Sequence, residues 1–199
     1  MKYKKKSIRK KYKPNNSEKI TPKYSKIALI GFRGAGKTTI AKHLMRYWNL
    51  ELISLDDYIQ KENSSSIESI VNQNGWEYFR KLETNALKKI SEINGHVLLD
   101  TGGGIVENSE HMSSDEKTNF LKTNFFTIYL YMNDDKLLSR IHTLKNNKQR
   151  PSLENSQNNI TDILRRRKPL YQKSAHAIVD ITDTSPDEAA KRIVELLKE

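Results

Sequence analysis

The segment from residue 31 to residue 38 constrains the fold of this chain more than any other. It reads Gly31-Phe-Arg-Gly-Ala-Gly-Lys-Thr38, follows the apolar run 27–30 and precedes residues 39–45, which have helical spacing. A strand, the pattern G-x-x-x-x-G-K-[ST] and a helix in this order are typical of a phosphate-binding loop. The alternative is a glycine-rich turn that carries a lysine by chance. The flanking strand and helix patterns favour a site for a nucleoside triphosphate.

The residue types in this loop suit phosphate chemistry. Glycines let successive backbone N–H groups point into one concavity, and the helix N-terminus adds partial positive charge there. Lys37 is predicted to reach the outer phosphates, and the Thr38 hydroxyl to ligate Mg²⁺. The predicted nucleotide-binding residues of the loop are Gly34, Ala35, Gly36, Lys37, Thr38 and Thr39.

The composition indicates one domain with a basic extension. The chain has 199 residues and a formal charge of +11, but residues 1–26 contain eleven Lys or Arg and one Glu. The rest of the chain contains 24 basic and 23 acidic residues. We therefore predict a disordered basic arm at 1–25 and one domain at 26–199. The arm either makes weak, salt-sensitive contacts with nucleic acid or an anionic membrane, or is a solvated extension; its composition favours the extension.

The sequence contains neither cysteine nor a long apolar run, and both facts bear on where the protein is expected to be located. Without cysteine the chain has no disulfide and no thiolate metal site. No apolar run reaches the eighteen or so residues of a membrane span. We expect a cytoplasmic monomer with no specific nucleic-acid or membrane partner.

From residue 26 onward, short apolar runs alternate with helical patterns. The apolar runs are 27–32, 50–55, 96–100, 125–131 and 177–181. The helical stretches are 37–48, 66–73, 76–93, 134–143, 159–174 and 186–198. This alternation predicts an α/β fold in three layers, with a five-stranded parallel sheet and helices on both faces. Such sheets bind ligands at the carboxyl ends of their strands.

Polar residues follow the predicted strands at that edge. The second strand runs into Asp56-Asp57, and the third into Asp100-Thr-Gly-Gly-Gly104. Arg80 and Glu83 share one face of the helix at 76–93, because they are three residues apart. Among the successive arginines 165–167, only one is expected to face the site. Arginine forks suit phosphate and carboxylate groups, and carboxylates suit a metal or a hydroxyl.

With these motifs, residues from about 26 to the C-terminus resemble the shikimate kinases, which are P-loop kinases related to the nucleoside monophosphate kinases. Besides the loop, the similar segments are Leu55-Asp-Asp-Tyr-Ile59, Glu77-Tyr-Phe-Arg-Lys-Leu-Glu83, Thr101-Gly-Gly-Gly104, Arg150-Pro151, Arg167-Lys-Pro-Leu-Tyr171 and the segment 180–186, which resembles the adenine border. The resemblance implies phosphoryl transfer from MgATP to the 3-hydroxyl of shikimate, and a mobile lid around Arg150.

The resemblance also implies roles for individual residues. Lys37, Asp56 and Arg150 would be catalytic: Asp56 would accept the proton of the attacking hydroxyl, and Arg150 would bind the nucleotide and neutralise the transferring phosphate. The shikimate-binding residues would be Asp56, Arg80, Gly102, Gly103, Gly104 and Arg167. A second basic lid residue would be either Arg140 or Lys148.

The sequence departs from the family at the metal site. Ser54 stands where the family has the first Asp of D-x-D, whereas Asp100 stands where the family usually has no carboxylate. Either Asp100 supports Mg²⁺ together with Thr38, or it caps the following glycine turn. Two rival functions remain at this point: a kinase for another acceptor such as gluconate, and a non-catalytic binding protein of the same fold.

Overall fold

In the part of the chain that the structure describes, five parallel strands form the centre of the protein. The structure is a computed structural model that describes residues 19–146 and 160–198. The strands are β1 (Lys26–Ile30), β2 (Glu51–Ser54), β3 (Val97–Asp100), β4 (Phe126–Tyr131) and β5 (Ala177–Asp180). Their order in the sheet is β2-β3-β1-β4-β5, and every neighbouring pair is parallel. The predicted sheet is confirmed.

Within residues 19–146 and 160–198, seven helices surround the sheet. They are α1 (Lys37–Leu44), α2 (Leu55–Asn63), α3 (Ile67–Ser91), α4 (Ser114–Asn124), α5 (Asp134–Asn146), α6 (Ile160–Ser174) and α7 (Pro186–Leu196). Six of them pack in pairs, α1 with α7, α2 with α3, and α4 with α6. The chain moves from β1 to β2 in one direction across the sheet and from β3 to β4 in the other. Because such crossovers are right-handed, α1 and α4 lie on opposite faces, as the three-layer prediction requires.

Two helices were not predicted from the sequence. Helix α2 follows β2 without a loop, because Ser54 ends the strand and its hydroxyl also accepts from the Asp57 N–H at the start of the helix. Helix α4 buries Lys117, Thr118 and Leu121, so its inward face lacks the apolar period that would reveal it. Its capping box, Ser113 with Glu116, is nevertheless visible in the sequence.

Helix α3 contains a break that the sequence did predict. Gly75 has φ 80° and ψ 172°, which interrupts the helix between the two helical stretches expected at 66–73 and 76–93. Glycine adopts this conformation without the steric cost of a Cβ. The second half of α3, after this break, carries Arg80 and Glu83, which contact the glycine turn that follows β3.

The last residues of the predicted basic arm lie against the domain. The Ile20 N–H donates to Tyr47 O at 2.9 Å, and Ile20 O accepts from the Asn49 N–H at 3.1 Å. Tyr24 stacks on Phe126 with ring centroids 4.1 Å apart. Ordered contacts with the domain therefore begin by Ile20, whereas residues 1–18 lie outside the described part of the chain.

None of the helices in the described ranges is both long and apolar enough to cross a lipid bilayer.

Candidate active site

The loop after β1 has the geometry of a phosphate-binding loop. It leads directly into α1, whose N-cap is Gly36 at φ 90° and ψ 17°. A side chain at this left-handed position would be strained, which explains the glycine. The Ala35 N–H donates to Phe32 O at 3.2 Å and so tightens the turn. The predicted residues Gly34 to Thr39 therefore lie together at the start of a helix, where an anion is stabilised.

The Lys37 side chain lies inside this loop. Its Nζ donates to Gly31 O at 2.8 Å and to Phe32 O at 3.1 Å, and the residue is buried. These acceptors are neutral carbonyl groups. A phosphate oxygen is a stronger, charged acceptor, so Lys37 can exchange these contacts for phosphate contacts.

Asp100 lies at the carboxyl end of β3, beside both the loop strand and position 54. In the strand registers it pairs with Leu29 of β1 and with Ser54 of β2. Asp100 is buried, whereas Thr38 is exposed at the first turn of α1. Within residues 19–146 and 160–198, no three His, Cys, Asp or Glu side chains cluster as a metal site.

The glycine turn after β3 packs on the phosphate-binding loop. A Cβ on Gly103 would lie 2.9 Å from Arg33 N, and Thr101 Oγ1 donates to Leu29 O at 2.8 Å. The Tyr171 hydroxyl of α6 donates to Gly103 O. The turn thus connects the phosphate end of the site to α6.

Two acidic residues approach the same turn at Gly102. A Cβ there would lie 2.7 Å from Glu83 Oε1 and 3.3 Å from Asp56 Oδ1. Asp56, in the first turn of α2, therefore lies next to the turn, as a residue that binds an acceptor hydroxyl must. A Cβ on Gly104 would overlap the Arg80 guanidinium, so a larger residue there would displace that group.

Arg80 and Arg167 converge on one carboxylate, that of Glu107. Glu107 Oε2 accepts from Arg167 Nη2 and lies 3.5 Å from Arg80 Nη2. Arg80 also donates to Glu83 Oε2, three residues further along α3. Arg167 is fully buried, with its guanidinium carbon 5.6 Å from the centre of the Phe32 ring. The structure thus brings both predicted arginines together beside the phosphate-binding loop.

Sequence reasoning missed three charged residues at this end. Glu107 follows the glycine turn by three residues, so its position after a strand could have indicated it. Arg166, which is not expected from the sequence to face the site, donates to Glu107 Oε1 from Nε at 3.1 Å and from Nη2 at 2.5 Å. Arg165, by contrast, is exposed and lies 3.8 Å from Asp162.

Lys117 of α4 is the third residue that was missed. It is fully buried, and its Nζ has no hydrogen-bond partner among the described residues. Burial and the charge of Arg80 lower the pKa of the Lys117 amine to about 8, although Glu83 and Glu107 act in the opposite direction. No apolar or charge pattern in α4 marks this residue as buried.

Two clefts open at this edge of the protein. One, of about 590 Å³, is lined by residues that include Trp76, Arg80, Glu107 and Arg166. The other, of about 480 Å³, is lined by Arg140 and by Thr182 and Asp183 from the predicted adenine border. Arg140 Nη2 also lies 3.7 Å from a Cβ placed on Gly36, so this second cleft adjoins the phosphate-binding loop. The predicted lid, with Arg150 and Lys148, lies outside the described residues.

Comparison with known proteins identifies the family of this chain. The shikimate kinase family model matches residues 33–198. The chain is 30% identical over 175 residues to a shikimate kinase of Dictyoglomus turgidum, with 88% of this chain and 98% of the relative covered. It is 35% identical over 173 residues to a shikimate kinase of Enterococcus faecalis, with 87% and 98% covered.

Solved structures agree with the sequence comparison. The shikimate kinase of Acinetobacter baumannii, solved in complex with shikimate, superimposes with a TM-score of 0.74 at 29% identity. That match covers 89% of this chain and 93% of the other. The enzyme of Aquifex aeolicus gives 0.69 at 32% identity, with 86% and 95% covered. This chain belongs to the shikimate kinase family.

Proposed function

We propose that this protein transfers the terminal phosphoryl group of ATP to the 3-hydroxyl of shikimate, giving shikimate 3-phosphate and ADP. The observation that carries this proposal is the convergence of Arg80 and Arg167 on one carboxylate oxygen of Glu107. Two arginines that already hold a carboxylate beside a phosphate-binding loop suit an acceptor that is itself a carboxylate. Gluconate also carries a carboxylate, so the choice between the two acceptors rests on the family.

The donor end binds the phosphates of ATP. Backbone N–H groups from Gly34 to Thr39 surround them, and Lys37 leaves the carbonyl groups of Gly31 and Phe32 for the outer phosphates. Arg140 and the cleft lined by Thr182 and Asp183 adjoin this loop and would hold the rest of the nucleotide. Arg150, from the lid, would neutralise charge on the group in transfer.

The residues near the loop fit Mg²⁺. The Thr38 hydroxyl and the Asp100 carboxylate are hard oxygen donors, and Asp100 sits at the strand end adjacent to the loop strand. Mg²⁺ keeps several waters and takes the rest of its ligands largely from phosphates, so a site with few protein ligands is expected. When bound, the ion supplies positive charge to the phosphate oxygens.

The acceptor end positions the shikimate hydroxyl. Arg80 and Arg167 would hold its carboxylate, and the backbone from Gly102 to Gly104 would border its ring. Asp56 would bind the 3-hydroxyl and accept its proton as the oxygen bonds to phosphorus and the bond to ADP breaks. This reaction requires little covalent chemistry from the protein, so catalysis consists mainly of alignment and charge neutralisation.

An ADP-release assay tests this function directly. The assay compares shikimate, gluconate and no acceptor, each with MgATP. We expect release that depends on shikimate and exceeds the rate without acceptor, with gluconate at the background rate. Release with gluconate alone would identify another small-molecule kinase. Background release with both acceptors would leave a non-catalytic protein of this fold.

A further inference from the structure

Glu107 occupies the position where the proposed acceptor needs its own carboxylate. Its Oε2 contacts Arg167 and Arg80, the two arginines assigned to the shikimate carboxylate. Its side chain is 12% exposed and lines the cleft of about 590 Å³. An incoming carboxylate and Glu107 Oε2 therefore require the same donors.

Glu107 is ionised in this position. Burial raises the pKa of its carboxyl, but the hydrogen bond and charge of Arg167, the hydrogen bond of Arg166 and the charge of Arg80 together lower it. An ionised carboxylate competes with another carboxylate on equal electrostatic terms, which a neutral side chain would not do.

We infer that Glu107 is a specificity-determining residue, an internal carboxylate that holds Arg80 and Arg167 until the carboxylate of the acceptor displaces it. The inference rests on the proposed function, because it takes the acceptor to be shikimate. Nothing in the resemblance to the family requires an acid at this position.

Arg166 can hold the Glu107 carboxylate after it has been displaced from Arg167. It already holds Glu107 Oε1 through two N–H groups, at 3.1 Å and 2.5 Å, and its side chain is 53% exposed. Rotation about the Glu107 side chain can keep Oε1 on Arg166 while Oε2 leaves Arg167. Binding of the acceptor is then an exchange of carboxylates on Arg80 and Arg167, with Glu107 left on Arg166 at the edge of the cleft.

The exchange has a cost that depends on the chemistry of the acceptor. A carboxylate restores both arginine contacts that Glu107 gives up. A ligand with an alcohol in that place makes weaker, uncharged hydrogen bonds and leaves Glu107 where it is. Glu107 thus lowers the affinity for shikimate somewhat, and lowers the occupancy of the site by ligands without a carboxylate.

The first test is Glu107→Gln, measured by calorimetric binding of shikimate and by ADP release. Glutamine keeps the size and one acceptor oxygen but loses the charge. We expect the Kd of shikimate to fall by about five- to tenfold, because the substrate no longer displaces an ionised group. The alcohol made by reducing the shikimate carboxyl group should gain more affinity from this substitution than shikimate does, because it cannot displace the ionised Glu107 from Arg80 and Arg167 in the wild type. The control is Glu110→Gln, since Glu110 is exposed and three residues away.

A double-mutant cycle separates displacement from simple loss of charge. Arg166→Ala removes the second anchor, so Glu107 should hold Arg167 more tightly and the Kd of shikimate should rise. In the Glu107→Gln background the same change should have little effect. Equal effects of Arg166→Ala in both backgrounds would overturn the exchange, because they would mean that Arg166 acts on the substrate directly.

The outcomes distinguish this inference from the proposed function. If the wild type binds and phosphorylates shikimate but Glu107→Gln leaves the Kd unchanged or raises it, the inference fails alone and Glu107 merely orients the arginines. If neither protein binds shikimate, both the inference and the function fail. If only Glu107→Gln binds it, Glu107 is a competing carboxylate, and the proposed function of the wild type fails.

Discussion

The two ends of the active site are built in different ways. The donor end is one contiguous segment, residues 31–39, in which backbone groups and one lysine meet at the start of α1. The acceptor end takes its charged side chains from five places along the chain: α2, α3, the turn after β3, α4 and α6. At the donor end the lysine donates to two neutral carbonyl groups, whereas at the acceptor end arginines already hold carboxylates.

This difference shows what each end has to give up when a ligand binds. Lys37 leaves two neutral carbonyl groups for charged phosphates, which is a favourable exchange. Arg80 and Arg167 leave one carboxylate for another, which is a nearly even exchange. Substitutions at the donor end should therefore act mainly on turnover, and those at the acceptor end mainly on substrate affinity.

The largest expected effect is at the donor end. Lys37→Met should reduce kcat by about a hundred- to a thousandfold, because it removes a fixed positive charge from the phosphate in transfer. Shikimate binding, measured by calorimetry, should change little. Lys42→Met, at an exposed position of the same helix, is the control. A comparable loss of shikimate affinity would mean that the two ends are not separate.

At the acceptor end, Arg80→Ala and Gly104→Ala should have the same effect by different routes. The first removes the guanidinium, and the second places a Cβ where that guanidinium lies. Each should raise the shikimate KM by about ten- to a hundredfold, because a charge-assisted bond is lost. The KM of ATP should stay within about twofold, since these groups lie outside the phosphate-binding loop.

Lys88→Ala, at an exposed position of the same helix, serves as the control for both variants. A rise in the KM of ATP with shikimate handling intact would contradict the assignment of Arg80 to the acceptor.

Asp100 lies between the donor end and the acceptor end, and the next prediction concerns its support of Mg²⁺. Asp100→Asn should reduce kcat by about tenfold or more and raise the Mg²⁺ concentration needed for half activity. Effects of this size are typical when a residue that supports a metal from outside its ligand shell is lost. Ser54→Asp should restore part of the activity in that background, because Ser54 and Asp100 are register partners.

The same serine provides the control. Ser54→Asn also keeps an N-cap for α2 but adds no charge, so it should not restore activity. An unchanged Mg²⁺ requirement with a lower melting temperature would make Asp100 a cap of the glycine turn.

The contrast between the two ends also explains how far the sequence predicts the structure. The strands, α1, the broken α3, α6 and α7 follow from apolar periods and from glycine positions, which are local signals. Helix α4 was missed because two of its three buried residues, Lys117 and Thr118, are polar. Burial of a lysine is decided by what packs around it, so no pattern within α4 predicts it.

The same reasoning applies to the site residues. Gly36, Lys37 and Thr38 are adjacent in the sequence, so their meeting could be predicted. The pairing of Ser54 with Asp100 depends on the strand register, which the sequence does not give. The contact of Glu107 with Arg80 and Arg167 depends on how α6 packs against the glycine turn. Motifs from the family supplied the two arginines but not the acid between them.

The smallest effect on turnover is expected at Lys117. A substitution there tests the electrostatics of the acceptor end. The pKa of the Lys117 amine is about 8 in the folded protein, against an ordinary value of 10.5. Below about pH 8 the amine is charged in both the folded and the unfolded chain, and burial of the charge destabilises the fold. Between about pH 8 and 10.5 the folded chain loses the proton first, so the free energy of unfolding rises with pH.

Lys117→Met removes this contribution. The variant should be more stable than the wild type at pH 7, and its advantage should shrink by about 3 kcal/mol as the pH rises to 10.5. Chemical denaturation at a series of pH values measures the difference, and Lys122→Met, exposed on the same helix, should show no such trend. If the advantage is constant with pH, the amine does not titrate in this range. Glu83 and Glu107 would then hold its charge more firmly than its burial suggests, and the acceptor end would be as well compensated as the donor end.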